Sequence, residues 1–417
     1  CQYDLEARLE HVTQLLPCIR FPRLRSSTEF SSRQIWRDPL IINNKQAQHQ
    51  LAVLDRNHRD FVSGLSRYGV SATTTNSGGG GLFRDGFNLP CAVSPRQLRP
   101  RIPHSVLLAI GGWQQGQPTT LIESYDLNCN LWFESRHRII STLAYHGIEC
   151  IDGRLYICGG TDGRDILSQM FVFDPTSGQC LFVKSMREDR CYVSTSYLDG
   201  HLYAMGGHNG VQRLRSVERY SVADDTWEHV HDMNVARSDA SACVHKQLIY
   251  IAGGLNDQVI ESSVEFYNAL DNTWTFVSSM MVPRTSFTLL KYRNTLLAIG
   301  GNNGTDRLNS VEQYNFTTNT WSAHSQMRHR RSTFSAALVD ESKLFVVGGY
   351  NGQTPFAQVE MFDESRNEWR QMQRIRYDRS GLKLVVVKDL PNAAEYTFLG
   401  NQTGATGEYL AQESASP

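Results

Sequence analysis

The side chains most suited to contacting another molecule follow six Gly-Gly pairs, at 111–112, 159–160, 206–207, 253–254, 300–301 and 348–349. Directly after each pair stands a residue of a different type: Trp113, Thr161, His208, Leu255, Asn302 and Tyr350. Six residues past the second glycine, two repeats carry Arg213 and Arg307. Aromatic and arginine side chains dominate binding energy at protein interfaces. We therefore predict that Trp113 and Tyr350 anchor a partner, and that the two arginines meet an acidic or hydrogen-bonding group.

A second set of candidate binding residues follows a repeated arginine. The arginines stand at 190, 237, 284, 331 and 379, and the residues after them are Cys191, Ser238, Thr285, Ser332 and Ser380. In the predicted arrangement, the strand before each glycine pair runs antiparallel to the strand that the arginine leads. Both sets therefore belong to one face, and loops on such a rigid scaffold commonly carry binding function.

Catalysis is the competing class of function, and the sequence does not favour it. The thirteen histidines hold no repeating position, whereas a copper site needs several His and Tyr converging near the axis. The four glycines at 78–81 are not followed by Lys-Ser or Lys-Thr, so they do not match a phosphate-binding loop. We predict that the chain is not an enzyme and holds no cofactor or metal.

The elements that must position these residues share the period of the glycine pairs, 47 or 48 residues. An aromatic residue, a tryptophan, a glutamate and the arginine recur in step, and three positions depart from the pattern: Leu143 for Arg, Phe171 for Glu and Cys180 for Trp. Each unit reads as four short strands joined by turns. Six such units predict an all-β propeller of six blades over 104–390.

The ends of the ring are predicted to meet in the first blade. No arginine-led strand precedes the first glycine pair, and no glycine pair follows the apolar run at 382–387. The final strand therefore completes the first blade by backbone hydrogen bonds. Glu and Arg that repeat in step are predicted to pair at blade edges, since lone buried charges are costly.

The flanking regions differ from the repeats. Apolar residues at helical spacing predict a small α-helical region over 1–65. The stretch 66–103, rich in Gly, Ser, Thr and Pro, predicts a flexible linker, and 391–417 predicts a tail. Because the chain opens with Cys1 rather than Met, we expect a fragment.

Charge and composition narrow the partners. A formal net charge of −1 argues against general nucleic-acid binding. The sequence contains no run of 18 apolar residues, so it predicts no membrane-spanning helix. The nine cysteines are scattered and contain no Cys-x-x-Cys pair, which favours a reducing, cytoplasmic setting.

The order of Gly-Gly, Tyr and Trp at this period resembles the kelch repeat. Residues 15–22 are similar to the late part of a BACK domain, so the whole chain resembles a BTB-BACK-kelch protein with a partial BACK region. The resemblance implies an adaptor whose propeller binds a substrate protein for a cullin-3 ubiquitin ligase. In this family the residues after the glycine pairs and after the arginines resemble the substrate-binding face.

Cullin binding belongs to the BTB domain, which we expect to be missing here. Some kelch proteins bind actin, so a cytoskeletal scaffold is the alternative.

Overall fold

The computed structural model describes residues 103–127 and 130–397. The predicted helical region at 1–65, nearly all of the predicted linker and most of the predicted tail lie outside the described residues, so those predictions stay untested.

Six antiparallel sheets form the described chain, and the prediction of a six-bladed propeller is confirmed. Blade 1 is the largest and contains five strands: β1 (Ser105–Ile110), β2 (Trp113–Gln114), β3 (Gln117–Asp126), β4 (Leu131–Leu143) and β25 (Lys383–Lys388). Blade 2 contains β5 (Gly147–Ile151), β6 (Arg154–Cys158), β7 (Met170–Phe173) and β8 (Cys180–Val183). Blade 3 contains β9 (Ser194–Leu198), β10 (His201–Met205), β11 (Val217–Ser221) and β12 (Thr226–Val230).

The other three blades repeat the four-stranded order. Blade 4 contains β13 (Ser241–His245), β14 (Leu248–Ala252), β15 (Val264–Asn268) and β16 (Thr273–Val277). Blade 5 contains β17 (Thr288–Tyr292), β18 (Thr295–Ile299), β19 (Val311–Asn315) and β20 (Thr320–His324). Blade 6 contains β21 (Ser335–Val339), β22 (Lys343–Val347), β23 (Val359–Asp363) and β24 (Glu368–Met372).

One strand of each blade, the innermost, lies at the centre of the ring. Strands β25, β5, β9, β13, β17 and β21 each contact the next in cyclic order, and β21 contacts β25. Strand β25 pairs antiparallel with β1 from Ser105 opposite Lys388 to Ile110 opposite Lys383. The last strand of the propeller therefore closes the first blade, as predicted.

The glycine pairs allow the chain to turn where two backbones meet. Gly206 has φ of 61°, and a Cβ placed on it would lie 2.3 Å from the carbonyl oxygen of Arg237. Gly207 has φ of 96°, in the left-handed region that side chains disfavour. A larger residue at Gly206 would collide with the segment that enters the next blade, and the Cβ of one at Gly207 would lie 2.7 Å from the carbonyl oxygen of Cys191 in its own blade.

In five of the six blades the repeated arginine and glutamate pair inside the blade rather than at its edge, where we had expected them. In blade 4, Arg237 donates to Oε1 of Glu265 from Nε (3.1 Å) and Nη2 (3.0 Å). Its Nη1 donates to the carbonyl oxygens of Gly253 (2.7 Å) and Ser263 (3.1 Å). Both side chains are fully buried, so these bonds compensate the loss of hydration.

The repeated tryptophans join neighbouring blades. Trp274 of blade 4 donates its indole N–H to the carbonyl oxygen of His231, in the segment after blade 3 (2.8 Å), and is 7% exposed. Equivalent bonds are made by the other four: Trp132, Trp227, Trp321 and Trp369. The tryptophans therefore fill the wedges between neighbouring blades.

The boundary between blades 1 and 2, where Cys180 replaces Trp, is filled by the chain end. A 3-10 helix at Ala393–Tyr396 places Ala393 and Tyr396 in one apolar cluster with Phe171 and Phe173 of blade 2. The Tyr396 hydroxyl donates to the carbonyl oxygen of Pro175 (2.7 Å). A distant aromatic side chain therefore takes the place of the missing indole.

Candidate protein-docking face

Both predicted sets of binding residues lie at the same end of the blades. Each residue after a glycine pair forms an antiparallel bridge, within its own blade, with the residue that follows the repeated arginine or its substitute Leu143. The bridges are Trp113–Ser380, Cys191–His208, Ser238–Leu255, Thr285–Asn302 and Ser332–Tyr350, with Ala144–Thr161 in blade 2. We call this end of the propeller the loop face.

Exposure separates the two sets. The residues after the glycine pairs, together with Arg213 and Arg307, are half-buried and reach the surface. The residues after the arginines are only 2–6% exposed: Cys191, Ser238, Thr285, Ser332 and Ser380. Their side chains point into the scaffold, where Ser238 Oγ donates to the carbonyl oxygen of Leu255 (3.4 Å). In the structure these five side chains support the face rather than form its surface, and their contact with a partner stays a prediction.

The two predicted arginines reach across to the loop of the following blade. Arg213 Nη1 lies 3.3 Å from Oδ1 of Asp257. The guanidinium carbon of Arg307 lies 5.4 Å from the ring centre of Tyr350, a cation–π geometry. Arg307 and Tyr350 are thus brought together, whereas Arg213 already holds a carboxylate of its own chain.

The predicted anchor Trp113 lies beside the central channel. Its ring meets that of Tyr145 edge to face, with centroids 6.3 Å apart. Tyr350 is held by its hydroxyl, which donates to the carbonyl oxygens of Gly352 (3.2 Å) and Gln353 (3.3 Å). Both aromatic rings are therefore fixed before any partner arrives, which lowers the entropic cost of binding.

Sequence reasoning missed six residues that surround the channel opening, each two positions after the repeated arginine or its substitute. We call them the mouth ring: Tyr145, Tyr192, Asp239, Ser286, Thr333 and Gly381. All six have φ between 50° and 64°. Each backbone N–H donates to the carbonyl oxygen of the ring member in the preceding blade, at 2.7–3.1 Å, so the six bonds form a closed circle. Their shared offset from the arginine was the signal that could have found them.

The mouth ring borders a small cavity of about 50 Å³, with Lys383 and Phe287 also in its lining. Tyr145 and Tyr192 lie with ring centroids 4.3 Å apart on one side. Asp239, the ring member next to Tyr192, accepts a hydrogen bond at Oδ1 from Ser286 Oγ (2.8 Å). The opening therefore combines two aromatic rings with one carboxylate.

Burial dominates the electrostatics of the channel. It raises the pKa of Asp239 to about 6, although Ser286 and Lys383 favour the ionised form. It also raises the pKa of Glu149, deeper in the channel, to about 7. The pKa of Lys383 is lowered by burial and is held up by Glu149 and Asp239. Three half-buried ionisable groups thus influence one another in the channel.

Among the residues that the structure describes, no group of three or more His, Cys, Asp or Glu is placed to bind a metal ion. In the same part of the chain, no helix has the length and apolar character needed to cross a membrane.

The repeated pairs, the closed ring and the variable loop face define a kelch-type β-propeller. Residues 107–357 match the Attractin/LZTR1 beta-propeller family, and the chain belongs to that family.

Curated relatives match this chain over shorter stretches. Spermatocyte protein spe-26 of Caenorhabditis elegans is 36% identical over 100 residues, which are 24% of this chain and 18% of that protein. Kelch-like protein 3 of Danio rerio is 29% identical over 165 residues (39% of this chain, 23% of that protein). Kelch-like protein 8 of Mus musculus is 37% identical over 76 residues (17% and 11%). The matched segments thus span less than a quarter of each relative.

The fold also resembles a solved structure, that of YjhT, with a TM-score of 0.50. The sequences are 12% identical, and the alignment covers 57% of this chain and 86% of YjhT. At this identity the likeness concerns the fold alone.

Proposed function

We propose that the loop face binds a segment of another protein, and that the chain acts as the substrate-recognition part of a cullin-3 ubiquitin ligase adaptor. The observation that carries the proposal is the contrast between a uniform scaffold and a varied face. The Arg–Glu pairs and tryptophans repeat from blade to blade, whereas the half-buried side chains after the glycine pairs are all different. Rigid elements that present unlike loops are typical of recognition surfaces.

The relatives support the same class of function. Two of them are named kelch-like proteins. The resemblance of this chain to that group implies that its propeller binds a substrate protein. Within that group, segments 190–194, 237–242 and 344–349 resemble kelch-like protein 10, which implies a role in male germ cells. The name of the relative spe-26 refers to spermatocytes. In this family cullin binding belongs to the BTB domain, so the activity assigned to these residues is substrate binding.

Affinity capture on the whole chain tests the proposal. Immobilised wild-type chain is compared with a Trp113→Ala/Tyr350→Ala chain, and retained proteins are quantified by mass spectrometry. Leu270→Ser is the matched control, because Leu270 is 94% exposed and stands in the β15–β16 turn at the opposite end of blade 4.

We expect at least one protein that binds the wild-type and Leu270→Ser chains and is lost from the double variant. That protein, once purified, should bind the chain directly and saturably. Retention that is equal on all three chains, or lost only with Leu270→Ser, would contradict binding at the loop face.

A further inference from the structure

The channel opening holds a carboxylate that its own surroundings leave without a direct ion pair. Asp239 accepts a hydrogen bond from Ser286, and within the described residues it forms no salt bridge. Lys383, which lines the same cavity, and Arg213 act on this carboxylate electrostatically. Arg213 is engaged by Asp257 at 3.3 Å, and Lys383 acts on Glu149 as well as on Asp239. A half-buried carboxylate without an ion pair favours a positively charged guest.

Aromatic rings complete the chemistry of the opening. Tyr145, Tyr192 and Asp239 line the same cavity, and the backbone N–H of Asp239 donates to the carbonyl oxygen of Tyr192 (3.1 Å). The faces of tyrosine rings attract cations, most strongly where water is excluded. A carboxylate beside two tyrosines is the combination that recognises an ammonium group.

The size of the cavity limits the guest. A cavity of about 150 Å³ accommodates benzene, with six heavy atoms. The space here is about 50 Å³, which corresponds to roughly two heavy atoms on the same scale. The ammonium group of lysine and its adjoining methylene fit this space, whereas the planar guanidinium group of arginine is larger.

We propose that the mouth ring is a receptor for a lysine side chain of the bound protein segment, with Asp239 as counter-ion and Tyr145 and Tyr192 as aromatic walls. This rests on the proposed function, because it names the chemistry of the segment that the loop face binds. It also reverses the charge expected of the partner. In the sequence, Arg213 and Arg307 indicated an acidic or hydrogen-bonding group, whereas the mouth ring favours a basic one. Arg213 is paired with Asp257 and Arg307 packs on the ring of Tyr350, whereas Asp239 forms no ion pair within the described residues.

A random 12-residue peptide library displayed on phage, selected on the immobilised whole chain, tests the proposal. Enriched peptides are synthesised, and their Kd is measured by fluorescence polarisation. We expect a lysine at one fixed position, whose change to Met weakens binding at least 10-fold, with Arg recovering little. On an Asp239→Asn chain the wild-type peptide should bind at least 10-fold more weakly, and the Lys→Met change should then cost less than twofold.

The Asp239→Asn variant is suited to this test because asparagine tolerates the left-handed backbone at this position and can keep the bond from Ser286. Its melting temperature is measured in parallel. Asp257→Asn, which removes a carboxylate from the same face, should leave the Kd within twofold of wild type.

The outcomes distinguish the inference from the function on which it rests. Peptides that require Trp113 or Tyr350 but carry no fixed lysine, or whose lysine matters equally on the Asp239→Asn chain, overturn the lysine receptor alone. Failure to enrich any peptide, or peptides that bind the wild-type, Asp239→Asn and Trp113→Ala/Tyr350→Ala chains equally, overturns both.

Discussion

Leu143 and Phe171 face the same buried interior of blade 2 that an arginine and a glutamate share in the other blades. They are 28 residues apart, as are Arg190 and Glu218 of blade 3, and both belong to one apolar cluster. Two departures from the repeat are therefore one substitution: an ion pair has been replaced by an apolar pair. Such replacements are known to be neutral or stabilising when both partners change together.

Changing one member of an ion pair should be far more harmful than changing both. In blade 4, Arg237→Leu leaves the fully buried Glu265 without its cation and should lower the free energy of unfolding by about 3–5 kcal/mol. Arg237→Leu/Glu265→Phe, which copies blade 2, should cost clearly less than the single change. Urea unfolding followed by circular dichroism measures both. A double variant as unstable as the sum of the two single variants would show that the pair is not a unit.

The C-terminal 3-10 helix should stabilise the whole ring through one side chain. Tyr396 is 1% exposed and packs where blade 2 lacks a tryptophan, so Tyr396→Ala should cost about 3–5 kcal/mol. Tyr396→Phe keeps the ring and loses only the bond to Pro175, so about 1 kcal/mol is expected. Thermal melts of the two variants check this order. Equal melting temperatures for Tyr396→Ala and wild type would contradict a structural role for the chain end.

Removing the two loop-face arginines should affect binding rather than folding. Arg213 is paired with an exposed aspartate, and such pairs contribute about 0.2–1 kcal/mol. The contact of Arg307 with Tyr350 is of similar size, about 0.5–1 kcal/mol. We expect Arg213→Ala/Arg307→Ala to melt within a few degrees of wild type and to retain less of the captured partner. A chain that fails to fold would place both arginines in the scaffold instead.

Stability should increase as the pH falls from 8 to 6.5. Burial raises the pKa of Glu149 to about 7 in the folded chain, against about 4 when unfolded. The folded state therefore binds more protons in this range, and its free energy of unfolding rises as protons are added. Burial lowers the pKa of His146 to about 3, so this residue opposes the trend below about pH 6.5.

Glu149→Gln isolates the contribution of that carboxyl group. Melting temperatures of wild type and Glu149→Gln at pH 8 and 6.5 give the measurement, and the variant should show a smaller increase on acidification. Identical increases in the two proteins would mean that Glu149 does not titrate in this range.

The period of the glycine pairs was enough to predict six blades and their closure by the final strand, because each unit repeats the same buried pattern. The sequence showed Leu143 and Phe171 as two separate exceptions to the repeat. That they face the interior of the same blade became visible only in the structure, because the residue in the arginine position faces the blade that follows it in the chain. The role of Tyr396 could not be predicted, since it lies outside the period and contacts Pro175, 221 residues earlier.

The mouth ring was missed for a local reason. Positive φ is usually expected at glycine or asparagine, yet the ring uses Tyr, Asp, Ser and Thr at five of its six positions. Only the closed circle of backbone hydrogen bonds explains why these residues adopt it. The residues directly after the arginines stand one position before the mouth ring, and their side chains are buried.

Hydrogen exchange of the chain with and without its captured partner tests most directly the claim that the loop face binds protein. We expect slower exchange at the loops after the glycine pairs and at the mouth ring, including segments 111–116, 348–356 and 190–193, and no change in the β15–β16 turn around Leu270. Protection confined to that opposite turn or to the outer strands, with the loop face unchanged, would contradict the account.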